Sequence, residues 1–161
     1  MALPANRKRI VTEAEIESKR QYFYADDLET ATLGNCYETK LSIKNGFATA
    51  TGKSGDPIVY LTNVVGQLNG KELSKITVAL KWDESKIKAN PVIFFTTPAG
   101  GWAAGRMLSS KNTGEKTANG STIFTIDAKS NGQFADTITA MRFDPFDAKD
   151  IEFAIEYIII E

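Results

Sequence analysis

Near the end of the chain, Ile151, Phe153, Ile155, Tyr157 and Ile159 alternate with Glu152, Ala154 and Glu156. A period of two is that of a β-strand with one face buried, which predicts a final strand with those five residues inward and both glutamates toward water. An apolar run over 138–143 precedes it, and the breakers from Asp144-Pro145 through Asp150 read as the turn between two strands. Upstream, Ile76, Val78, Leu80 and Trp82 fall on one face and Lys75, Thr77 and Lys81 on the other, a half-buried strand with Trp82 in the core. The run Val92-Ile93-Phe94-Phe95-Thr96-Thr97 is apolar on both faces and predicts a central strand covered on both sides. Shorter strands are expected over 37–43, 47–51, 58–61, 106–109 and 123–126, with 64–73 open between loop and bulged strand. The punctuation between these runs is Asn45-Gly46, Gly52 to Pro57, Asn69-Gly70, Asn90-Pro91, Pro98 to Gly101, Asn119-Gly120 and Asn131-Gly132, residues that suit tight turns. About nine strands with no long helical pattern among them predict an all-β, antiparallel sandwich.

Residues 1–20 break this pattern. Thr12-Glu13-Ala14-Glu15 fits a capping box and predicts a short helix over about 12–20, in which Ile16 is the main apolar residue. So short a helix needs a surface to lie on. Five basic residues against three acidic ones give this stretch a net +2 and leave −3 for the remainder, within a whole-chain charge of −1. The expected organisation is an N-terminal arm, 1–30, followed by one sandwich domain, 31–161. The triplet Arg7-Lys8-Arg9 reads as a solvated terminus, a contact with an acidic protein surface, or a nucleic-acid contact, in that order, since three charges give little affinity for nucleic acid at cellular salt. Together with Ile16, Tyr22 and Phe23, these residues are the expected anchor of the arm on a larger assembly.

Composition narrows the chemistry. With 161 residues, 42% of them hydrophobic, the chain can bury one core but not two. No apolar run reaches the ~20 residues of a membrane span, and the first residues lack the apolar stretch of a secretory signal, so neither membrane nor export is expected. The one cysteine, Cys36, reads as a small half-buried hydrophobe in a reducing compartment. There is no histidine, which excludes histidine-activated nucleophiles and histidine metal centres. Glu152 and Glu156 on one strand would stand roughly 13 Å apart, wider than the ~5–9.5 Å of glycosidase carboxyl pairs. Asp144, Asp147 and Asp150 recur around a turn, yet lack the ligand pattern of a calcium loop. No catalytic residue, metal or cofactor is therefore assigned.

The succession Gly46-Phe47-Ala48-Thr49-Ala50-Thr51-Gly52, Asp56-Pro57-Ile58, Ser74 to Lys81, Phe94-Phe95-Thr96-Thr97, then 138–145 with 151–160, resembles the galactose-binding-like jelly rolls. That family includes many carbohydrate-binding modules and occurs in bacteriophage virion proteins. The resemblance spans about residues 35–161 and implies a two-sheet jelly roll, but no single function, because such sandwiches host unrelated sites. Exposed aromatic rings beside polar groups would make a sugar site. Trp102, in the glycine-rich Pro98-Ala-Gly-Gly-Trp-Ala-Ala-Gly105 loop, reads as a cap or subunit contact, or else as a ligand contact, and Tyr60 has the same alternatives. The leading expectation is a non-catalytic virion accessory protein, of the phage capsid-decoration or head-fibre type, held through its arm by other virion proteins and open to homo-oligomerisation. The alternative is a carbohydrate-binding module that recognises a glycan.

Overall fold

The computed structural model describes residues 21–24, 39–44, 47–53, 55–61 and 68–161. Its strands in chain order are β1 (Gln21–Tyr24), β2 (Thr39–Lys44), β3 (Phe47–Gly52), β4 (Val59–Tyr60), β5 (Leu68–Asn69), β6 (Lys75–Trp82), β7 (Val92–Thr96), β8 (Met107–Lys116), β9 (Thr122–Asp127), β10 (Thr137–Ile138), β11 (Ala140–Asp144) and β12 (Glu152–Ile160). Two single turns of 3-10 helix, Gly70–Glu72 and Ala128–Ser130, are the only helical elements among the described residues. The strand pairings are antiparallel throughout.

Ten of the strands form two layers, and β5 and β10 pair with each other in a separate two-stranded sheet. One layer runs β2-β3-β12-β6-β9-β8, with β1 added along β12 beyond β3; the other runs β8-β7-β11-β4. Strand β8 serves both: Met107 to Ser109 bond β7, and Ser110 onward bond β9. This is the expected antiparallel sandwich. The predicted helix over 12–20, with Arg7, Lys8, Arg9, Ile16 and Cys36, lies outside the described residues. Tyr22 and Phe23 lie in β1, in register with Ile159 and Ile158 of the same chain.

Alternation along the strands builds one core. Ile76, Val78 and Leu80 of β6, Phe124 and Ile126 of β9, and Phe153 and Ile155 of β12 belong to a single buried cluster with Ile93, Phe95, Leu108, Met141 and Phe143 of the other layer. Phe95 meets Phe134 edge-on at 4.9 Å, and Phe146 meets Phe153 edge-on at 5.6 Å, the geometry that ring quadrupoles favour. Among the described residues, Asn119-Gly120 and Asn131-Gly132 fall in turns as marked, whereas Asn90-Pro91 does not and the turn over 83–86 carries neither glycine nor asparagine. At the β8–β9 connection, Gly120 takes φ +86°, and the amide of Thr117 donates to the Ser121 carbonyl at 2.8 Å.

Three expectations need correction. Strand β12 does not alternate to its end: Ile155 pairs with Leu80 and Tyr157 with the adjacent Ala79, leaving Glu156 as an extra residue in a β-bulge. Facing inverts there, so Ile158 and Ile160 are buried while Tyr157 and Ile159 are half-buried. Glu156, expected in water, is buried, and its Oε1 accepts from the Asn119 amide. Strand β7 is central in its layer but covered on one side only, since Ile93 and Phe95 are fully buried whereas Val92 and Phe94 are half-exposed. Trp82 is half-buried against the core instead of inside it, with its indole N–H donating to the Ile87 carbonyl at 2.8 Å.

Because Phe95 fills the centre between the layers, Phe95→Ala is expected to lower stability by about 3–5 kcal/mol in urea denaturation. Gly70→Ala is expected to destabilise by a different route, since an added Cβ would stand 2.6 Å from the Phe134 carbonyl group.

Candidate ligand-binding cleft

The outward residues of the smaller layer form a row across its strands. Tyr60 of β4 is opposite Arg142 of β11, Arg142 is opposite Phe94 of β7, and Phe94 is opposite Met107 of β8. All four are partly exposed, while their chain neighbours Val59, Met141, Phe143, Ile93, Phe95 and Leu108 fill the core. The same alternation that buries the one set turns the other outward.

Arg142 is the hub of this row. Its guanidinium carbon lies 4.2 Å from the centre of the Phe94 ring and 5.5 Å from that of Trp102, both within cation–π range. Trp102 in turn packs on Tyr60, with ring centres 6.0 Å apart and tilted by 49°. Trp102, 40% exposed, is the large hydrophobic residue most open to solvent among those described. Arg142 Nη2 also donates to Asp144 Oδ2 at 3.1 Å. Beside these groups opens a cleft of about 450 Å³, lined by Phe94, Val92, Met107, Asn90, Lys88 and Asp56. Arg142, Asp144 and Asp147 line it as well.

Two polar atoms of this wall are buried without a hydrogen-bond partner among the described residues: Arg142 Nε and Asp144 Oδ1. Asp144 is 6% exposed, and its carboxyl pKa is pushed up to about 7. Burial is the main cause; the Arg142 cation pulls the other way, and the Asp56 and Asp147 carboxylates add to the rise. Near neutral pH the group therefore exists as both acid and carboxylate, able to donate or accept. Among the described residues no group of three or more carboxylate, cysteine or histidine side chains is arranged to hold a metal ion; Asp147 and Asp150 are exposed on the turn that follows Asp144.

The structure thus brings together Trp102 and Tyr60, singled out in the sequence as possible ligand contacts, and adds Arg142 and Phe94, which were not, and Asp144, which was weighed only as a calcium ligand. Phe94 was concealed by the reading of β7 as a strand covered on both sides, and the place of Asp144 beside Arg142 by its grouping with Asp147 and Asp150 around the turn. Arg142 carried a usable signal: a lone cation between Met141 and Phe143 at the outward position of a strand.

No known family profile matches the chain, and no curated protein sequence matches it. Solved structures do. A low-affinity xylan-binding module, CBM86, from the gut symbiont Roseburia intestinalis superposes with a TM-score of 0.57 at 12% identity, over 88% of this chain and 94% of that one. A family 29 carbohydrate-binding module superposes at 0.55 with 11% identity, over 88% and 91%, and another at 0.53 with 9% identity, over 87% of each. The chain has the jelly-roll β-sandwich fold of carbohydrate-binding modules.

The Asp144 carboxyl yields a stability prediction. Its pKa rises from an ordinary value of 3.8 to about 7 on folding, so the folded state holds the proton more tightly. Its contribution to stability is complete below about pH 4 and is lost as the pH climbs through about 7. Calorimetric melting between pH 4 and 8 should show the wild-type Tm falling relative to that of Asp144→Asn, which keeps the shape and cannot titrate.

Proposed function

We propose that this domain is a non-catalytic carbohydrate-binding module whose ligand lies over β4, β11 and β7. The observation that carries the reading is the convergence of Trp102, Tyr60 and Arg142 on one outer face, beside a cleft walled by unpartnered polar atoms. A pyranose ring offers an apolar face for an aromatic ring and a rim of hydroxyl groups. The Tyr60–Trp102 pair supplies the first contact. Arg142 Nε is a donor and Asp144 Oδ1 an acceptor, and leaving such groups unpaired costs about 1–3 kcal/mol each. Sugar hydroxyls, which both donate and accept, would recover part of that cost only if the wall shifts, since both atoms are buried here.

The similar structures add support of their own. One is described as binding xylan, and one of the family 29 structures holds mannohexaose. The family 29 variants made to probe ligand recognition include replacements of a tyrosine, an arginine and, two positions beyond that arginine, an aspartate. Arg142 and Asp144 stand at that spacing here, with Tyr60 in register beside Arg142. Of the residues expected to attach the chain to a virion, Arg7, Lys8, Arg9 and Ile16 lie outside the described residues, and Tyr22 and Phe23 lie in β1, paired with β12 of the same chain, so the glycan reading has the stronger geometric support.

Native gel electrophoresis through xylan or mannan is expected to retard the protein. Trp102→Ala and Arg142→Ala should each weaken binding about tenfold, or about 1.4 kcal/mol, with little change in Tm for Trp102→Ala. Unretarded migration through a panel of soluble plant, fungal and bacterial polysaccharides would refute the reading.

A further inference from the structure

Side chains grip the loop that carries Trp102 at both ends: Arg106 holds Gly101, immediately before the tryptophan, and Gln133 and Asn131 hold Gly105. The first turn of the loop closes on itself: Thr97 and Gly100 exchange amide–carbonyl bonds of 3.0 and 3.1 Å. Beyond that turn, Gly101 to Gly105 lack the ladder of a strand. Arg106, at the far end, reaches back across the loop. Its Nε donates to the Gly101 carbonyl at 2.6 Å, and its Nη1 donates to Gln133 Oε1 at 3.1 Å. The Arg106 amide donates to the Ala103 carbonyl at 3.0 Å, closing the segment from the opposite side. The guanidinium packs so closely on Gly100 that a Cβ there would stand 2.7 to 2.9 Å from it. Gln133 is fixed in turn, because its Nε2 donates to the Gly105 carbonyl and its amide to Asn131 Oδ1.

We propose that Arg106 is the positioning residue for Trp102: its two-pronged grip on Gly101 and Gln133 sets the loop so that the indole already stands on Tyr60 and Arg142 before a ligand arrives. The functional consequence rests on the glycan-binding reading above; the positioning itself does not. The bond to Gly101 acts on the residue immediately before Trp102, so losing it frees the backbone that aims the ring. Glycine-rich segments have the most conformational freedom to lose, and ordering such a loop only on binding would subtract from affinity. Arg106 makes none of the contacts that define the cleft, so its effect on binding is indirect. A lysine keeps the charge but has one flexible point donor in place of the planar fork.

The chain has two tryptophans, so Trp82→Phe leaves Trp102 as the sole indole reporter in the full-length protein. In that background, Arg106→Gln is expected to shift Trp102 emission to the red, to raise its acrylamide quenching about twofold and to lower its anisotropy, with only a small change in Tm because Arg106 is half-buried and outside the apolar core. Arg106→Lys should behave like Arg106→Gln, and Gln133→Ala should shift the same signals less. With a polysaccharide that retards the wild type, Arg106→Gln should weaken retardation five- to tenfold and have no further effect when combined with Trp102→Ala. Unchanged emission, quenching and anisotropy in Arg106→Gln would overturn the proposal, as would full retention of the wild-type signals by Arg106→Lys. Should no polysaccharide retard the wild type, the glycan reading fails while the fluorescence comparison still decides the role of Arg106.

Discussion

A single apolar core shared by two sheets is the constraint from which the rest of this structure follows. Each strand of the smaller layer must send every second side chain into that core, and Val59, Ile93, Phe95, Met141 and Phe143 do so. Register then leaves no freedom for the residues between them: Tyr60, Phe94 and Arg142 emerge side by side on the opposite face. A slip of one residue in β11 would exchange Arg142 for a core residue. The core and the cleft are two sides of one set of strands, and the large energy of burial fixes the geometry of the cleft.

The cleft stores its chemistry in a balanced but incomplete cluster. Arg142 satisfies one oxygen of Asp144 and lies against two aromatic rings, yet keeps an unpartnered Nε, and Asp144 keeps an unpartnered Oδ1. Among the described residues no group completes this network, and buried polar groups are ordinarily paired. The aromatic neighbours limit how far the guanidinium can move to find another partner.

The fold was largely legible because strand alternation and turn chemistry are local. Ile76 to Trp82 announced β6, and Asn119-Gly120 and Asn131-Gly132 marked real turns. The β12 bulge was hidden, since an extra residue in a run of isoleucines looks like continued alternation, and only the pairing with Leu80 and Ala79 exposes it. The site was half legible. Trp102 stood out because glycines surround it, but its partners come from β4, β7 and β11, which are distant in sequence and adjacent only through pairing. Phe94 was misjudged for a physical reason: an outward aromatic ring under an arginine has the same sequence signature as one sealed inside a protein.

The bulge at Glu156 has an evolutionary corollary. It is the one place in β12 where a residue could be lost without reversing what its neighbours face, because removing it would restore plain alternation on either side. A one-residue length change in the stretch between the bulge and Ile158 would instead turn Ile158 and Ile160 toward solvent. Yet the surplus residue is employed, since its carboxylate accepts the Asn119 amide and so ties the tip of the β8–β9 hairpin down onto the sheet. What reads as a register defect is a tether, and a lineage that shortened this strand by one would be expected to loosen that hairpin while keeping its core intact.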